Sequence, residues 1–195
     1  MTSQSIKFST LSDHLFRTPS IAHYTFLAVV GSLLLTLSAK ISIPFWPVPV
    51  TMQTFVVLAL GFAYGWKLAG VTVLLYLAQG ALNLPVFQGT PEKGIGIAYM
   101  TGPTGGYLLG FFFAAVVCGW LAERGWDRRP STTAAAMVIG NIIIYALGLA
   151  WLGNLMGWDK PILDWGLKPF IPGDIAKIVL AMIVIPVAWK KIARE

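Results

Sequence analysis

The last long apolar run of the chain opens with Phe170-Ile-Pro-Gly-Asp-Ile-Ala-Lys177 and then continues to Trp189 without another charge. The proline and glycine of this stretch interrupt what precedes them, so a helix can begin there. Asp174 and Lys177 are three residues apart, which puts both on one face of that helix. An ionisable side chain inside a membrane helix costs about 2.5–3.5 kcal/mol. The stretch predicts an apolar helix that keeps its two charges either as a structural ion pair and helix cap or to bind a polar ligand.

The composition is that of an integral membrane protein. Of 195 residues, 56% are hydrophobic and 11% charged, and the mean hydropathy is +0.73. Soluble domains carry about 25% charged residues. We expect a single domain over residues 1–195, embedded in the lipid bilayer. The net charge of +6 does not indicate nucleic-acid binding, because the charges lie between apolar runs and at the chain ends.

Six apolar segments are long enough to be membrane helices, which need about 20 mostly apolar residues. They cover residues 21–38, 50–66, 68–86, 105–121, 133–152 and 172–189. The second and third are joined only at Gly65-Trp66-Lys67, which predicts a tight hairpin. The predicted fold is all-α: a compact bundle of six transmembrane helices with structured outer loops.

The distribution of basic residues predicts the orientation. Six spans put both termini on one side, together with nine of the fourteen basic residues: Lys7, Arg17, Lys67, Arg124, Arg128, Arg129, Lys190, Lys191 and Arg194. Four more, Lys40, Lys93, Lys160 and Lys168, lie in the opposite loops, and Lys177 lies within a span. Because basic residues are enriched on the cytoplasmic side, both termini are predicted to be cytoplasmic.

The outer segments 40–50, 85–107 and 153–171 contain many prolines, glycines and tryptophans. Three prolines make the first of them stiff and extended. The tryptophans of the third could anchor the membrane interface, or the three segments could together cover a cavity. Gln79, Asn83 and Tyr99 lie near this side. Each could make an interhelical hydrogen bond or contact a ligand.

The sequence contains no recognisable metal-binding, catalytic or phosphate-binding motif. We therefore expect neither an enzyme nor a bound cofactor. Active transport would need a partner or an ion gradient as its energy source.

Small residues recur every fourth position in the first apolar segment, at Ala28, Ser32 and Thr36. Such a stripe permits close contact between helices. It could pack within this chain or form the docking site of a partner membrane protein.

Four motifs occur in a fixed order. They are Pro47-Val-Pro-Val-Thr51 with Gln53-Thr54, Gly80-Ala81 with Leu84-Pro-Val-Phe87, Gly102-Pro-Thr-Gly-Gly-Tyr107 with Gly110, and Pro172-Gly-Asp-Ile-Ala-Lys177. Together they resemble the BioY family, the biotin-specific S-components of energy-coupling-factor (ECF) transporters. The resemblance covers residues 40–177.

The resemblance implies a six-helix protein of the bacterial inner membrane that binds biotin from outside. It implies as partners a transmembrane coupling subunit and two ATP-binding cassette ATPases, which alone would use ATP. By the same resemblance, Ala28 and Ser32 would contact the coupling subunit. Asp174 would contact the ureido ring of biotin, and Lys177 its carboxylate.

Biotin combines a cyclic urea, an apolar thiophane ring and an apolar chain that ends in a carboxylate. A binding site needs a hydrogen-bond acceptor, a donor, aromatic walls and a cation. Asp174 and Lys177 supply the first and the last. The further candidates are Gln79 or Asn83 as donor, Phe45, Trp46, Tyr99 and Phe87 as walls, and Lys93 as a second cation. The family often has glycine where this chain has Asn83.

Other functions remain open from the residues alone. An ion-coupled secondary transporter for a small organic acid could use Asp174 as its coupling group. The small size and the lack of an internal repeat argue against it. A membrane enzyme or a scaffold is a weaker alternative still.

Overall fold

The computed structural model describes residues 10–12 and 20–192. Three basic residues that contributed to the predicted orientation, Lys7, Arg17 and Arg194, lie outside this part of the chain. Within residues 20–192 the elements are, in order, α1 (Ile21–Lys40), β1 (Ser42–Ile43), β2 (Val50–Thr51), α2 (Gln53–Ala81), α3 (Gly96–Met100), α4 (Gly105–Ala122), α5 (Pro130–Met156), α6 (Ile162–Gly166) and α7 (Ile171–Ile192).

Five of these helices, α1, α2, α4, α5 and α7, are long and apolar enough to cross a membrane. A continuous apolar run folds as a helix in lipid because the helix satisfies its own backbone hydrogen bonds. Large apolar side chains such as Leu37, Ile142 and Ile183 remain exposed on the outside of the bundle. The prediction of a helical integral membrane protein is confirmed.

The longest helix, α2, reverses direction at Gly65. That residue has φ 72° and ψ 172°, a conformation that a side chain would strain. The Gln53 amide donates a hydrogen bond to the Tyr76 hydroxyl at 2.7 Å, although the two residues are 23 positions apart. A straight helix would separate them by about 35 Å. The predicted hairpin is therefore present, with arms 53–64 and 66–81.

The bundle is assembled from neighbouring helix pairs: α1 packs on α2, α2 on α4, α4 on α5, and α5 on α7. The chain approaches itself closely at the reversal, where a Cβ added to Gly119 of α4 would lie 2.4 Å from the Trp66 nitrogen. We call this end of the bundle, formed by the reversal, the loop 123–129 and the last turns of α7, the basic end.

The opposite end, which we call the loop end, carries the segments 41–52, 82–104 and 157–170. The first contains the two-residue strands β1 and β2, which pair Ser42 with Thr51 and Ile43 with Val50. The segment predicted to be extended is so only in these two strands, and it turns back between them so that they pair antiparallel. Lys40 is the last residue of α1 and lies at this end. Its ammonium donates to the carbonyl of Phe87 at 2.8 Å and to the hydroxyl of Thr90 at 3.2 Å. It thus ties α1 to the segment 82–104.

Candidate functional site

The charged pair at the start of α7 is buried in the bundle. Asp174 is 5% exposed and Lys177 is 8% exposed. The Lys177 ammonium lies 3.1 Å from Oδ1 of Asp174. A buried charge is tolerated only when it is paired and hydrogen-bonded, so each of these two charges can be buried because the other compensates it.

Further partners come from two other parts of the chain. Lys177 donates to the Thr51 carbonyl and to the Thr54 hydroxyl, each at 2.8 Å, where β2 leads into α2. The Thr54 hydroxyl lies 3.3 Å from Oδ1 of Asp174. Tyr145 of α5 donates a short hydrogen bond to Oδ2. This polar network joins three parts of the chain that are distant in sequence, and it is formed by Thr51, Thr54, Tyr145, Asp174 and Lys177.

A narrow cavity lies beside the polar network at the loop end. Thr54 and Tyr145 belong to its lining, while Asp174 and Lys177 lie directly behind them. Apolar and aromatic groups dominate the wall, with a few hydroxyl and amide groups between them. The lining residues are Val48, Pro49, Thr51, Gln53, Thr54, Phe87, Gln88, Tyr99, Thr104, Tyr107, Leu108, Phe111, Ile144, Tyr145 and Phe170. This combination suits a ligand with a flat polar head and an apolar body.

Two stacked aromatic pairs form part of the wall. Phe87 and Tyr99 stack with centroids 5.0 Å apart, and Tyr107 and Phe170 stack with centroids 6.3 Å apart. The Phe87 ring packs directly onto α2 because position 80 is glycine: a Cβ there would lie 2.0 Å from the ring. Burial raises the pKa of the Tyr99 hydroxyl, so this wall carries no charge at neutral pH.

Of the residues predicted to contact a ligand, Tyr99 lines the cavity and Gln79 does not. The Gln79 amide oxygen accepts a hydrogen bond from Ser32 of α1. Asn83 is exposed just after α2 with φ 66°, and its amide oxygen lies against the backbone of Gly96. A left-handed conformation favours glycine or asparagine, which explains the asparagine at position 83.

The remaining wall and charge candidates lie further out. Phe45 and Trp46 are exposed. The Trp46 ring contacts Trp165 edge-on, with centroids 5.0 Å apart. Lys93 is exposed, and its aliphatic stem passes over Gly89. The structure therefore does not bring these three to the cavity.

The small residues of α1 face the chain's own interior. Ser32 is 0% exposed beneath Gln79, and Ala28 packs with Leu68 of α2. Because a buried side chain cannot meet a partner directly, the structure supports packing within the chain as the role of Ser32. Ala28 also borders a groove near the basic end, together with Tyr24 and Val71.

Sequence reasoning missed several contributors to the site. Thr54 and Tyr107 were recognised only as parts of motifs, Phe170 only as the start of the last apolar run, and Tyr145 was given no role at the site. A spacing signal existed for none of them, because each reaches the site through tertiary packing. The four ordered motifs were the available signal, since three of them contribute lining residues to the cavity.

Comparison with known proteins identifies the family. The BioY family profile matches residues 9–194. The chain belongs to the BioY family. It is 37% identical over 151 residues to the probable biotin transporter BioY of Pyrococcus horikoshii, covering 77% of this chain and 86% of that protein. It is 38% identical over 161 residues to the biotin transporter BioY of Thermotoga maritima, covering 83% of this chain and 88% of that protein. The resemblance drawn from the motifs is confirmed.

A solved structure shares the fold. The crystal structure of the S-component for biotin from an ECF-type ABC transporter is similar to this chain with a TM-score of 0.70 at 22% identity, covering 89% of this chain and 95% of the other. In this BioY-family chain the four motifs meet at one place. The first, second and third supply lining residues of the cavity, and the fourth supplies the charged pair behind Thr54 and Tyr145.

Proposed function

We propose that this chain is a membrane subunit that binds biotin and serves its uptake into the cell. Its family and its relatives, which are named as biotin transporters, support a transport function rather than an enzymatic one. The observation that carries the proposal is the buried Asp174–Lys177 pair, held by Thr54 and Tyr145 against an aromatic cavity. Biotin is the kind of molecule that uses all of these groups, because it has a urea, an apolar ring system and an anion.

In the proposed complex the ureido N–H groups donate to the carboxylate of Asp174. The thiophane ring and chain lie among the aromatic rings of the cavity. Hydrogen bonds to a charged acceptor contribute about 1.5–3 kcal/mol each, and an aromatic wall adds apolar burial. Tyr145 and Thr54, which already bond Asp174, would hold its carboxylate in a fixed orientation.

The carboxylate of biotin sets a further requirement. The bicyclic ring and a chain of four methylene groups separate it from the urea, whereas Asp174 and Lys177 are in direct contact, with N–O 3.1 Å. An extended biotin cannot place its two ends on both residues while they remain paired. We infer that the Lys177 ammonium moves away from Asp174 on binding, which its flexible four-carbon stem permits, and pairs with the ligand carboxylate.

The transport assembly is part of the same proposal. We propose six membrane crossings, counting the arms 53–64 and 66–81 of α2 separately, within a single unit of residues 1–195. The basic end would face the cytoplasm, with both termini, in a bacterial inner membrane. A coupling subunit and ABC ATPases would be the partners and the sole users of ATP. Ala28 and Ser32 are both buried. Because Ala28 borders the groove near the basic end, we place the docking surface in that groove, with the exposed side chains of Tyr24 and Val71 as its contacts.

The decisive experiment is biotin binding by the purified protein in detergent, measured by calorimetry. We expect tight binding that is weakened at least tenfold by Asp174→Asn and by replacing biotin with its neutral amide. The matched control is Asp164→Asn. It removes the carboxylate charge from the exposed ion pair of Asp164 with Lys168, and it should bind biotin like wild type.

Failure of folded wild-type protein to bind biotin would refute the proposed ligand. Uptake in cells provides a second test. Uptake that survives ATP depletion but collapses with a protonophore would instead assign the chain to ion-coupled transport.

A further inference from the structure

The described part of the basic end carries several exposed positive charges. Lys67, Arg124, Arg129 and Lys190 are exposed there. Close contacts bring their segments together: Gly119 of α4 lies against the reversal at Gly65, and the indole of Trp189 in α7 donates a hydrogen bond to Asp127 in the loop 123–129. These cations therefore belong to one end of the molecule.

The acidic residues described at this end are withdrawn from that surface. Asp127 is 0% exposed, accepts a hydrogen bond from the Trp189 indole at 2.6 Å and lies 3.3 Å from the guanidinium of Arg128. Glu123 is buried, with its carboxylate beside Gly65. Among the described residues of the basic end, no exposed carboxylate is available to neutralise the exposed cations.

Arg124 lies at the end of an apolar stripe on α4. Leu109, Phe113 and Trp120 follow at spacings of four and seven residues, which places them on one helix face, and all three are exposed. Arg124 comes four residues later. Its guanidinium lies 3.3 Å from the centroid of the Trp120 ring, and one of its nitrogens donates to the Trp120 carbonyl at 3.0 Å.

We propose that an anionic phospholipid binds along this stripe, with an acyl chain on Leu109 and Phe113 and its phosphate group on Arg124. A guanidinium has five N–H donors in a fork that suits phosphate oxygens, and the contact with Trp120 uses few of them. The tryptophan lies between the apolar and the charged part, as tryptophans do at the level of lipid headgroups. Lys67 and Arg129 add positive charge at the same end of the bundle.

The shape of the surface favours a lipid over an acidic protein. The stripe is apolar for three turns and becomes cationic only where α4 ends. This sequence of properties matches one amphipathic molecule lying parallel to the helix. An acidic protein segment would match the cations but not the apolar part of the stripe.

The test is native mass spectrometry of the full-length protein with phosphatidylglycerol and with phosphatidylcholine of the same acyl chains. We expect wild type to retain phosphatidylglycerol preferentially. Arg124→Gln should weaken that retention about fivefold, the effect of one basic residue near an anionic surface, and leave phosphatidylcholine retention unchanged. The matched control is Lys160→Gln, which also replaces an exposed cation with glutamine but at the loop end.

Thermal unfolding of both variants would verify that they are folded. Equal phosphatidylglycerol retention by Arg124→Gln and Lys160→Gln would overturn the proposal, as would a wild type without preference between the two lipids. Unchanged lipid preference in Arg124→Gln, together with lost binding of a polyglutamate peptide, would assign the surface to an acidic protein instead.

Discussion

Removing one member of the buried pair should destabilise the protein far more than removing both. Lys177→Met keeps the length of the side chain but leaves the carboxylate of Asp174 buried without its cation. Loss of one partner of a buried ion pair costs about 3–5 kcal/mol. The change also takes a donor from the Thr51 carbonyl and from the Thr54 hydroxyl. Tyr145 and Thr54 still donate to Asp174, which keeps the expected loss within this range.

The double variant Asp174→Asn with Lys177→Met separates charge compensation from packing. The amide that replaces the carboxylate can accept from Tyr145 and donate to the Thr54 hydroxyl. Since neutral replacement of a whole buried pair is often close to neutral in stability, we expect most of the lost stability to return. Biotin binding should not return, because both the acceptor for the urea and the cation for the carboxylate are gone.

Unfolding in detergent, followed by tryptophan fluorescence, measures the first effect, and calorimetry with biotin measures the second. The matched control is the same double change at Asp164 and Lys168, whose side chains are 52% and 69% exposed. Exposed pairs contribute about 0–1 kcal/mol, so this control should change little. A double variant as unstable as Lys177→Met alone would refute the reasoning from charge compensation. A double variant that binds biotin like wild type would refute the proposed site.

Three further changes test other contacts. Tyr145→Phe removes the hydroxyl that orients Asp174, and calorimetry should show biotin affinity about tenfold or more lower, the value of a hydrogen bond to a charged group. Lys40→Met releases the segment that carries Phe87, so stopped-flow measurement should show faster biotin dissociation, while Lys160→Met at an exposed position should leave it unchanged. Burial raises the pKa of Asp127 in the folded protein. The folded state therefore loses stability as the pH rises from the carboxyl pKa of the unfolded chain through that of the folded protein. Asp127→Asn should remove this dependence in unfolding measured across that acidic range.

The membrane helices could be predicted because their signal is local. An uninterrupted apolar run has one stable conformation in lipid, so the apolar segments were recognisable without any knowledge of packing. The part of the chain that the structure describes has five helices long enough to cross a membrane, because the second and third predicted segments form one helix broken at Gly65. The reversal at Gly65 was also local, since a glycine followed by Trp66 and Lys67 interrupts two apolar runs. The pair of Asp174 and Lys177 was conspicuous for the same reason: two charges stood alone in an apolar stretch.

The direction in which polar side chains point could not be predicted. Gln79 lies on one face of a helix, but a helical period does not say whether that face meets α1 or the cavity. In the structure the Gln79 side chain points towards α1, where its amide oxygen accepts a hydrogen bond from Ser32. Tyr145 joins Asp174 from 29 positions away, and only the arrangement of α5 against α7 creates that contact. Loop residues such as Trp46 were equally ambiguous, because an extended segment alternates its side chains between two sides.

The contact between Lys40 and the loop end makes α1 a lever. The helix has 20 residues and is therefore about 30 Å long, with the proposed docking groove near one end and Lys40 at the other. A tilt of about 10° at the docking end displaces the far end by about 5 Å over that length. The ammonium holds the carbonyl of Phe87, and the ring of that residue is part of the cavity wall. A partner that tilts α1 would therefore pull on the wall of the cavity from the other side of the membrane.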